Sequence, residues 1–295
     1  MLLQQDQDND HIDTSDYAYV LTLAGAENAE QARQSCLALS IGAHLDPGIR
    51  RKHRPNEDTI LVTHGVIPSA TNAPKPFVFL AVADGMGGPG HGQEASQLAV
   101  QSLVEYVSHS LCSQQEPSED WLFLLKAGVQ YANQLVYERN EQQQTAMGTT
   151  MTAVLVSETT AYVAHVGDSR LYLYREPTGL VRLTRVHSVV ATLVEAGSIA
   201  PDDIYTHPKR NQIYRCLGDE ATVEVDASAI PLAAGDTLLL CSDGLWEMVR
   251  DQQIAAIMTT IMPTPSHTAR ALIQAALAGG GEDNVSAIVA QVSNV

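Results

Sequence analysis

Residues 150–175 read TMTAVLVSETTAYVAHVGDSRLYLYR, and this stretch decides the fold. It holds three runs, 150–157, 161–166 and 169–175, rich in Val, Thr, Tyr and Leu and separated by only a few residues. Runs of that composition read as strands. The gaps are too short for a crossover helix, so the strands are expected to pair antiparallel. The spacing predicts a meander with tight turns, and as a bare sequence Gly167-Asp168-Ser169-Arg170 is a hairpin turn.

Working outward, residues 37–41, 59–63 and 77–83 upstream and 236–242 and 285–292 downstream also read as strands. A further strand fits residues 17–23. Two long helices separate the upstream strands from the meander. In the first, 91–112, Ala95, Leu98, Ala99, Leu103 and Tyr106 recur at helical spacing. The second, 119–142, carries Leu124, Leu125, Ala132, Leu135 and Val136 on one face, with Ser118 as its expected N-cap. Shorter helices are expected at 188–196, 251–262 and 266–277, stopped by Gly197, Pro263 and Gly279-Gly280-Gly281. Residues 198–220 read as polar loop. Strands in direct succession, with helices in separate blocks, predict an α+β chain: an α-β-β-α sandwich of two antiparallel sheets flanked by helices.

The chain has 295 residues, 45% of them hydrophobic, and a net charge of −17. That charge argues against nucleic-acid partners and anionic membrane surfaces. No apolar run approaches the length of a membrane span. Cys36, Cys112, Cys216 and Cys241 show neither CxxC nor zinc spacing and read as reduced thiols. The first basic residue is Arg33, so residues 1–32 lack the basic region of a signal peptide; a cytoplasmic location and a monomer are expected. Residues 1–36, acidic at Asp6, Asp8, Asp10, Asp13 and Asp16, are expected to form a partly disordered extension to a catalytic unit at 37–295.

Four acidic clusters sit on the ends of apolar runs: Asn56-Glu57-Asp58, Asp84-Gly85-Met86-Gly87-Gly88, Ser242-Asp243-Gly244 and Glu282-Asp283-Asn284. Any one Asp-Gly pair is an ordinary turn. Repeated at the ends of several strands, these pairs gather carboxylates at a sheet rim, where they repel one another unless a cation neutralises them. An all-oxygen set suits Mg²⁺ or Mn²⁺ rather than zinc. The glycines after Asp84 let backbone approach closely, so the Gly85 carbonyl is a further candidate ligand. Arg50, Arg51, Lys52 and Arg54 precede Glu57, and in so acidic a chain they read as a phosphate pocket rather than a solvated basic loop. His165 is expected in the core. His187 and His207 read as solvated, with substrate contact as the alternative. There is no GxSxG motif and no Walker-type loop.

These motifs, with Met147-Gly148-Thr149-Thr150 and Val166-Gly167-Asp168-Ser169-Arg170, resemble in their order and spacing the metal-dependent protein phosphatase family (PPM, type 2C), particularly its bacterial branch. The resemblance spans residues 37–295. It implies the same sandwich and a serine/threonine phosphatase that uses a hydroxide bridging two Mn²⁺ or Mg²⁺ ions. Asp84 would bridge the two ions, with the Gly85 carbonyl on one and Asp243 and Asp283 on the other. Glu57 and Asp58 would hold their waters, Asp168 with Asp243 would take a third ion, and 187–220 would be a flap. Phosphorylated proteins, substrates of a serine/threonine kinase, would be the partners. The chain departs from the pattern in three places. His53 stands where the family's phosphate Arg is usual, which leaves Arg50, Arg51 and Arg54 as candidates, with Arg54 preferred for its closeness to Glu57. Met86 replaces a His of eukaryotic members. Val186 replaces an Asp before His187. A pseudophosphatase acting as a binding module, or a hydrolase of small phosphoesters, is the alternative reading.

Overall fold

The computed structural model describes residues 17–21, 37–67, 75–88, 90–113, 120–260 and 264–294. In chain order the first half runs β1 (Tyr17–Leu21), β2 (Leu37–Asp46), β3 (Asp58–Ile67), β4 (Lys75–Met86), α1 (His91–Ser113), α2 (Trp121–Gln143), β5 (Gly148–Thr149), β6 (Met151–Ser157) and β7 (Thr160–Val166). The second half runs β8 (Arg170–Arg175), β9 (Gly179–Arg182), α3 (Val189–Glu195), a 3₁₀ turn at Pro201–Tyr205, β10 (Asp226–Pro231), β11 (Thr237–Cys241), α4 (Asp243–Trp246), α5 (Asp251–Thr259), α6 (Pro265–Ala278) and β12 (Val285–Asn294). One sheet has the order β1-β2-β12-β11-β8-β9 and the other β10-β7-β6-β4-β3, with β5 added to β4. Helices cover both outer faces, so the α-β-β-α sandwich is present.

The apolar strands owe their continuity to burial on both faces. In β4, Val78, Leu80 and Val82 enter the layer between the sheets, while Phe79, Ala81 and Ala83 meet α1 and α2. Likewise Leu238 and Leu240 of β11 face inward, and Leu239 and Cys241 face α4 to α6. β12 divides in the same way, with Ile288, Ala290 and Val292 inside and Val285, Ala287 and Val289 outside. A polar substitution on either face of these strands would therefore strand an unpaired group.

Several local expectations are corrected. Gly167-Asp168-Ser169-Arg170 is not a hairpin turn: β7 pairs with β6 and β10, whereas β8 pairs with β11 and β9 in the opposite sheet. The segment is a sheet-to-sheet crossover, with Gly167 at φ +111° turning the chain out of one layer. The N-cap of α2 is Asp120, which accepts from the Phe123 amide at 2.9 Å; Ser118 lies outside the described residues. The 3₁₀ turn falls within the stretch read as loop, and β9 and β10 fall where no element was read. The strand expected at 17–23 is β1, which pairs antiparallel with β2 from Tyr17↔Ile41 to Leu21↔Leu37. Residues 1–16 and 22–36 of the expected extension lie outside the described residues.

Buried polar side chains fasten the crossover and the loop beyond it. Asn140 of α2 donates to the carbonyls of Met147 (2.7 Å) and Gly218 (2.9 Å) and accepts from the Met147 amide (2.9 Å). Nε2 of His165 faces the carbonyls of Arg185 (2.9 Å) and Gly167 (3.1 Å), while Nδ1 faces the Thr152 hydroxyl (2.9 Å). A carbonyl only accepts, so Nε2 carries the proton, Nδ1 accepts, and the ring is neutral. Burial, helped by neighbouring His187, lowers its pKa from 6.5 to about 3. Between those values the unfolded chain binds a proton that the folded chain refuses. Stability from this ring is therefore complete above 6.5 and drains away as pH falls. By pH 4.5 the loss is about 3 kcal/mol. Denaturant titrations of wild type and His165→Gln should show the wild type losing that much more than the variant between pH 7 and pH 4.5; parallel losses would contradict a neutral buried ring.

Candidate metal centre

The topology brings the acidic clusters to one rim. In the antiparallel pair β3–β4 the first residue of β3, Asp58, lies opposite Asp84 near the end of β4. In the other sheet the end of β11 lies beside the start of β8 (Cys241↔Arg170) and the start of β12 (Cys241↔Ala287). Asp243 just after β11, Asp168 just before β8 and Asp283 just before β12 therefore share an edge. The expected strand-end placement of Asp84, Asp168, Asp243, Asp283, Glu57 and Asp58 is what the two sheets produce.

Short-range bonds fix each group. The Asp84 amide donates to Thr150 Oγ1 (2.9 Å), and its carbonyl accepts from the Thr150 amide (2.9 Å) and the Thr149 hydroxyl (3.0 Å). Asp58 Oδ2 accepts from Ser242 Oγ at 2.7 Å and from Ser286 Oγ, which ties the two sheets together. Asn284 Oδ1 takes the Glu57 amide (2.8 Å), while Asn284 Nδ2 donates to the Pro47 carbonyl (2.9 Å). Glycine is required where backbones abut. A Cβ on Gly85 would stand 1.9 Å from the Gly92 carbonyl oxygen, and one on Gly92 would stand 2.7 Å from both the Gly85 carbonyl oxygen and Glu57 Oε1. The Gly85 carbonyl thus lies beside the Glu57 carboxylate.

The electrostatics are those of a crowded, buried carboxylate cluster. Burial, then Asp243, Asp58, Asp168 and Asp283 in turn, push Asp84 well above the usual carboxylate range. Asp168 rises for the same reasons, through burial, Asp243 and Glu247. Burial raises Asp58 to about 6; burial and then Asp243 raise Asp283 to about 7. Burial also raises Asp243, against a hydrogen bond with Asp84 that needs a proton between the two carboxyls. Asp58 Oδ1 and Asp243 Oδ1 are buried with no hydrogen-bond partner. Among the described residues no three such side chains already close on one point. The donor set mixes carboxylates with the Gly85 carbonyl. That all-oxygen chemistry, with orphaned buried oxygens, fits Mn²⁺ or Mg²⁺, which share their coordination with water.

The basic run resolves into different roles. Arg51 turns inward, with Nη1 2.9 Å from Glu57 Oε2 and Nε 2.9 Å from Asp283 Oδ1. It lowers Asp58, Asp243 and Asp283 and so acts as an internal counter-ion. Arg54 is exposed, and its amide closes a turn onto the Arg51 carbonyl at 2.8 Å. Arg50 reaches Glu282 at 3.3 Å from an exposed position. The preference for Arg54 is thereby reversed: among these side chains Arg51 is the one held against the cluster. His187 is not solvated but buried, accepting from the Gly167 amide (3.0 Å) and meeting Asp226 Oδ2 at 3.1 Å. Val186 beside it is buried as well.

Two participants were missed in the sequence. Glu247 has its pKa raised to about 7 by burial and by Asp243. Arg210 lies 3.6 Å from Glu247 and 3.4 Å from Glu282, joining the loop after α3 to the rim. The legible signal for Glu247 was its i+4 spacing from Asp243, which puts both on one helical face.

A family model described as protein phosphatase 2C matches residues 48–279. The chain belongs to the protein phosphatase 2C family. It is 36% identical over 249 residues to a serine/threonine phosphatase stp of Listeria monocytogenes, covering 83% of this chain and 93% of that one. It is 39% identical over 259 residues to the serine/threonine protein phosphatase PstP of Mycobacterium tuberculosis, covering 87% of this chain and 45% of PstP. A crystal structure of a PstP catalytic domain in complex with two manganese ions superposes with a TM-score of 0.72 at 35% identity, covering 87% of this chain and 99% of that one.

A cation that binds only the folded chain stabilises it, by about 2.7 kcal/mol at a hundredfold excess over Kd. For a chain of this size that is a rise in melting temperature of about 4–5 °C. Mn²⁺ should give such a rise in the wild type and a much smaller one in Asp84→Asn and Asp243→Asn. In EDTA both variants should melt no lower than wild type, because each removes a crowded carboxyl. Equal Mn²⁺ shifts in all three proteins would remove Asp84 and Asp243 from the ligand set.

Proposed function

We propose that this chain is a metal-dependent serine/threonine protein phosphatase that removes phosphate from phosphoserine and phosphothreonine in other proteins. The observation that carries this reading is the meeting of Asp84 from one sheet with Asp243 and Asp283 from the other, in a chain of the protein phosphatase 2C family. Residues 37–295 are taken as the catalytic unit, with 187–220 as its flap and 1–36 as an extension. Its place would be in signalling, as a cytoplasmic monomer reversing the work of a serine/threonine kinase on phosphoproteins.

Asp84, the Gly85 carbonyl, Asp243 and Asp283 are read as the holders of two core ions. Glu57 and Asp58 are read as the anchors of their water shell, and Asp168 with Asp243 as the place of a third ion. When bound, Mn²⁺ or Mg²⁺ supplies the positive charge that makes water available as a nucleophile near neutral pH. The chain's own residues supply position. The Ser242 and Ser286 hydroxyls leave Asp58 one free oxygen facing the rim. Arg51 has two of its guanidinium nitrogens committed to carboxylates, which fixes its plane and leaves Nη2 to grip a phosphate oxygen. Water adds to phosphorus, the bond to the serine or threonine oxygen breaks, and that oxygen takes a proton. Met86 has none to give, so the proton comes from solvent or another group.

Turnover of a phosphothreonine peptide should require Mn²⁺ or Mg²⁺ and cease in EDTA; full activity in EDTA would sink the reading. Asp168→Ala should lower turnover while the core ions stay bound, as counted by metal analysis. Arg51→Ala should raise KM for the phosphopeptide by about tenfold or more, the loss of one charge-assisted contact. Arg54→Ala should change it far less, and its effect should fade in high salt. A larger effect from Arg54→Ala would return the phosphate contact to that residue.

A further inference from the structure

Arg170 closes the crossover motif, yet its side chain points away from the acidic rim. It is 1% exposed, and its guanidinium carbon lies 3.6 Å from the centroid of the Trp246 ring. Nη1 is taken by the Tyr172 hydroxyl (2.8 Å) and Asp251 Oδ1 (3.2 Å), while Nε is buried without a partner. Tyr205 of the 3₁₀ turn meets Trp246 edge-on at 6.4 Å, and over Tyr205 lies the guanidinium of Arg250 at 3.3 Å. Two arginines thus bracket an aromatic pair, of which one ring belongs to the core and the other to the flap.

This ladder lines a cavity of about 700 Å³ between the flap and the β8–β9 and α4–α5 corner, a size that suits a small organic ligand. Arg182 on the outer edge strand lines it too. Burial and then Arg170 hold the Arg182 guanidinium below its ordinary pKa, so two like charges are kept close. Two of the carboxylates at this cavity already have partners, one of them Arg170 itself. Glu195 forms a paired contact with Arg185 (3.0 and 2.6 Å), and Asp251 Oδ1 serves Arg170 and Tyr172 (2.8 Å); Asp202 is exposed on the flap. Among the described residues neither Arg182 nor Arg250 forms an ion pair. In a chain of net charge −17, three guanidiniums around one cavity, two of them pinned by aromatic faces, are a built receptor for an oxyanion.

We propose that this cavity binds phosphate, as the free ion or as the ester of a small metabolite, at a site separate from the catalytic rim. The ligand bridges Arg182 and Arg170 of the core to the flap residues around Tyr205. It communicates with the rim through Trp246, whose Nε1 donates to the Asp168 carbonyl at 3.1 Å. Occupancy would therefore fix the flap against the core and bear on the position of Asp168.

Trp246 reports on the test, since the chain has only one other tryptophan, Trp121. The Mn²⁺-loaded Trp121→Phe protein is titrated with inorganic phosphate and, separately, with AMP, while the fluorescence of Trp246 is followed. Calorimetry on the wild-type holoenzyme repeats both titrations without the tryptophan change. A saturable response is expected that survives Arg51→Ala and weakens at least tenfold in Arg182→Gln, which corresponds to 1.4 kcal/mol. Saturation by phosphate assigns the free ion as a sufficient ligand; saturation by AMP alone assigns an ester. No saturable binding of either, equal binding in Arg182→Gln, or loss in Arg51→Ala with retention in Arg182→Gln would each overturn the proposal. None of these outcomes touches the catalytic reading, which rests on metal-dependent turnover.

Discussion

The carboxylates at the rim cannot all be ionised together without a counter-charge, and much of the surrounding structure holds them there regardless. Asp58, Asp84, Asp168, Asp243 and Asp283 all have their pKa raised, chiefly by burial, and all but Asp243 are raised further by neighbouring carboxylates. Left free, such groups would swing into water. They stay because each is fixed to a strand end or a short helix, and because the ends belong to two sheets locked by a shared core. The Ser242 and Ser286 hydroxyls on Asp58 are the seam, since the serines come from one sheet and the aspartate from the other. Stability is thereby given up at the rim and recovered from apolar burial in β4, β11 and β12. Arg51 softens the loss without removing it. A divalent cation is the one small partner that satisfies several of these oxygens at once.

Rigidity on the sandwich side contrasts with the manner in which residues 187–220 are held. Their start is anchored by His187, buried between the Gly167 amide and Asp226, and their return by Asn133 and Asn140 of α2 gripping the backbone around Gly218. Between these anchors charged and aromatic contacts join the span to the core, Arg210 with Glu247 and Glu282 and Tyr205 with Trp246 and Arg250, alongside the apolar packing of Ile204. The charged and aromatic contacts tolerate sliding better than interdigitated apolar packing does.

What was legible in the sequence follows from the same physics. Asp84, Asp243 and Asp283 stood out because each borders a run apolar on both faces, and a carboxylate there has few bland explanations. The double-sided burial that made the strands visible also hid the crossover. β7 and β8 are both largely buried, so a short Gly-Asp-Ser gap looks the same whether the chain returns in one sheet or passes to the other. β9 and β10 escaped notice because they are edge strands, half exposed and poor in large apolar residues. The choice of Arg54 over Arg51 failed for another reason. Closeness in sequence to Glu57 says nothing about side-chain direction in a turn, and here the turn sends Arg51 inward and Arg54 into water.

The crossover carries the most consequence per residue. Asp168 sits at the rim in the bend before β8 begins, while Arg170, the first residue of β8, shares the outer, helix-covered face with Tyr172 and stacks on Trp246. Ser169 between them bonds Thr150 at 2.8 Å, and Thr150 in turn holds the Asp84 amide. α4 repeats the arrangement, with Asp243 on the rim and Trp246 beneath Arg170. Four residues on two adjacent elements therefore present carboxylates to one side and a guanidinium–indole stack to the other, joined by the bond from Trp246 to the Asp168 carbonyl. A displacement of the stack by a fraction of an ångström moves that carbonyl with it. The acidic centre and the arginine-lined cavity are two faces of a single wall.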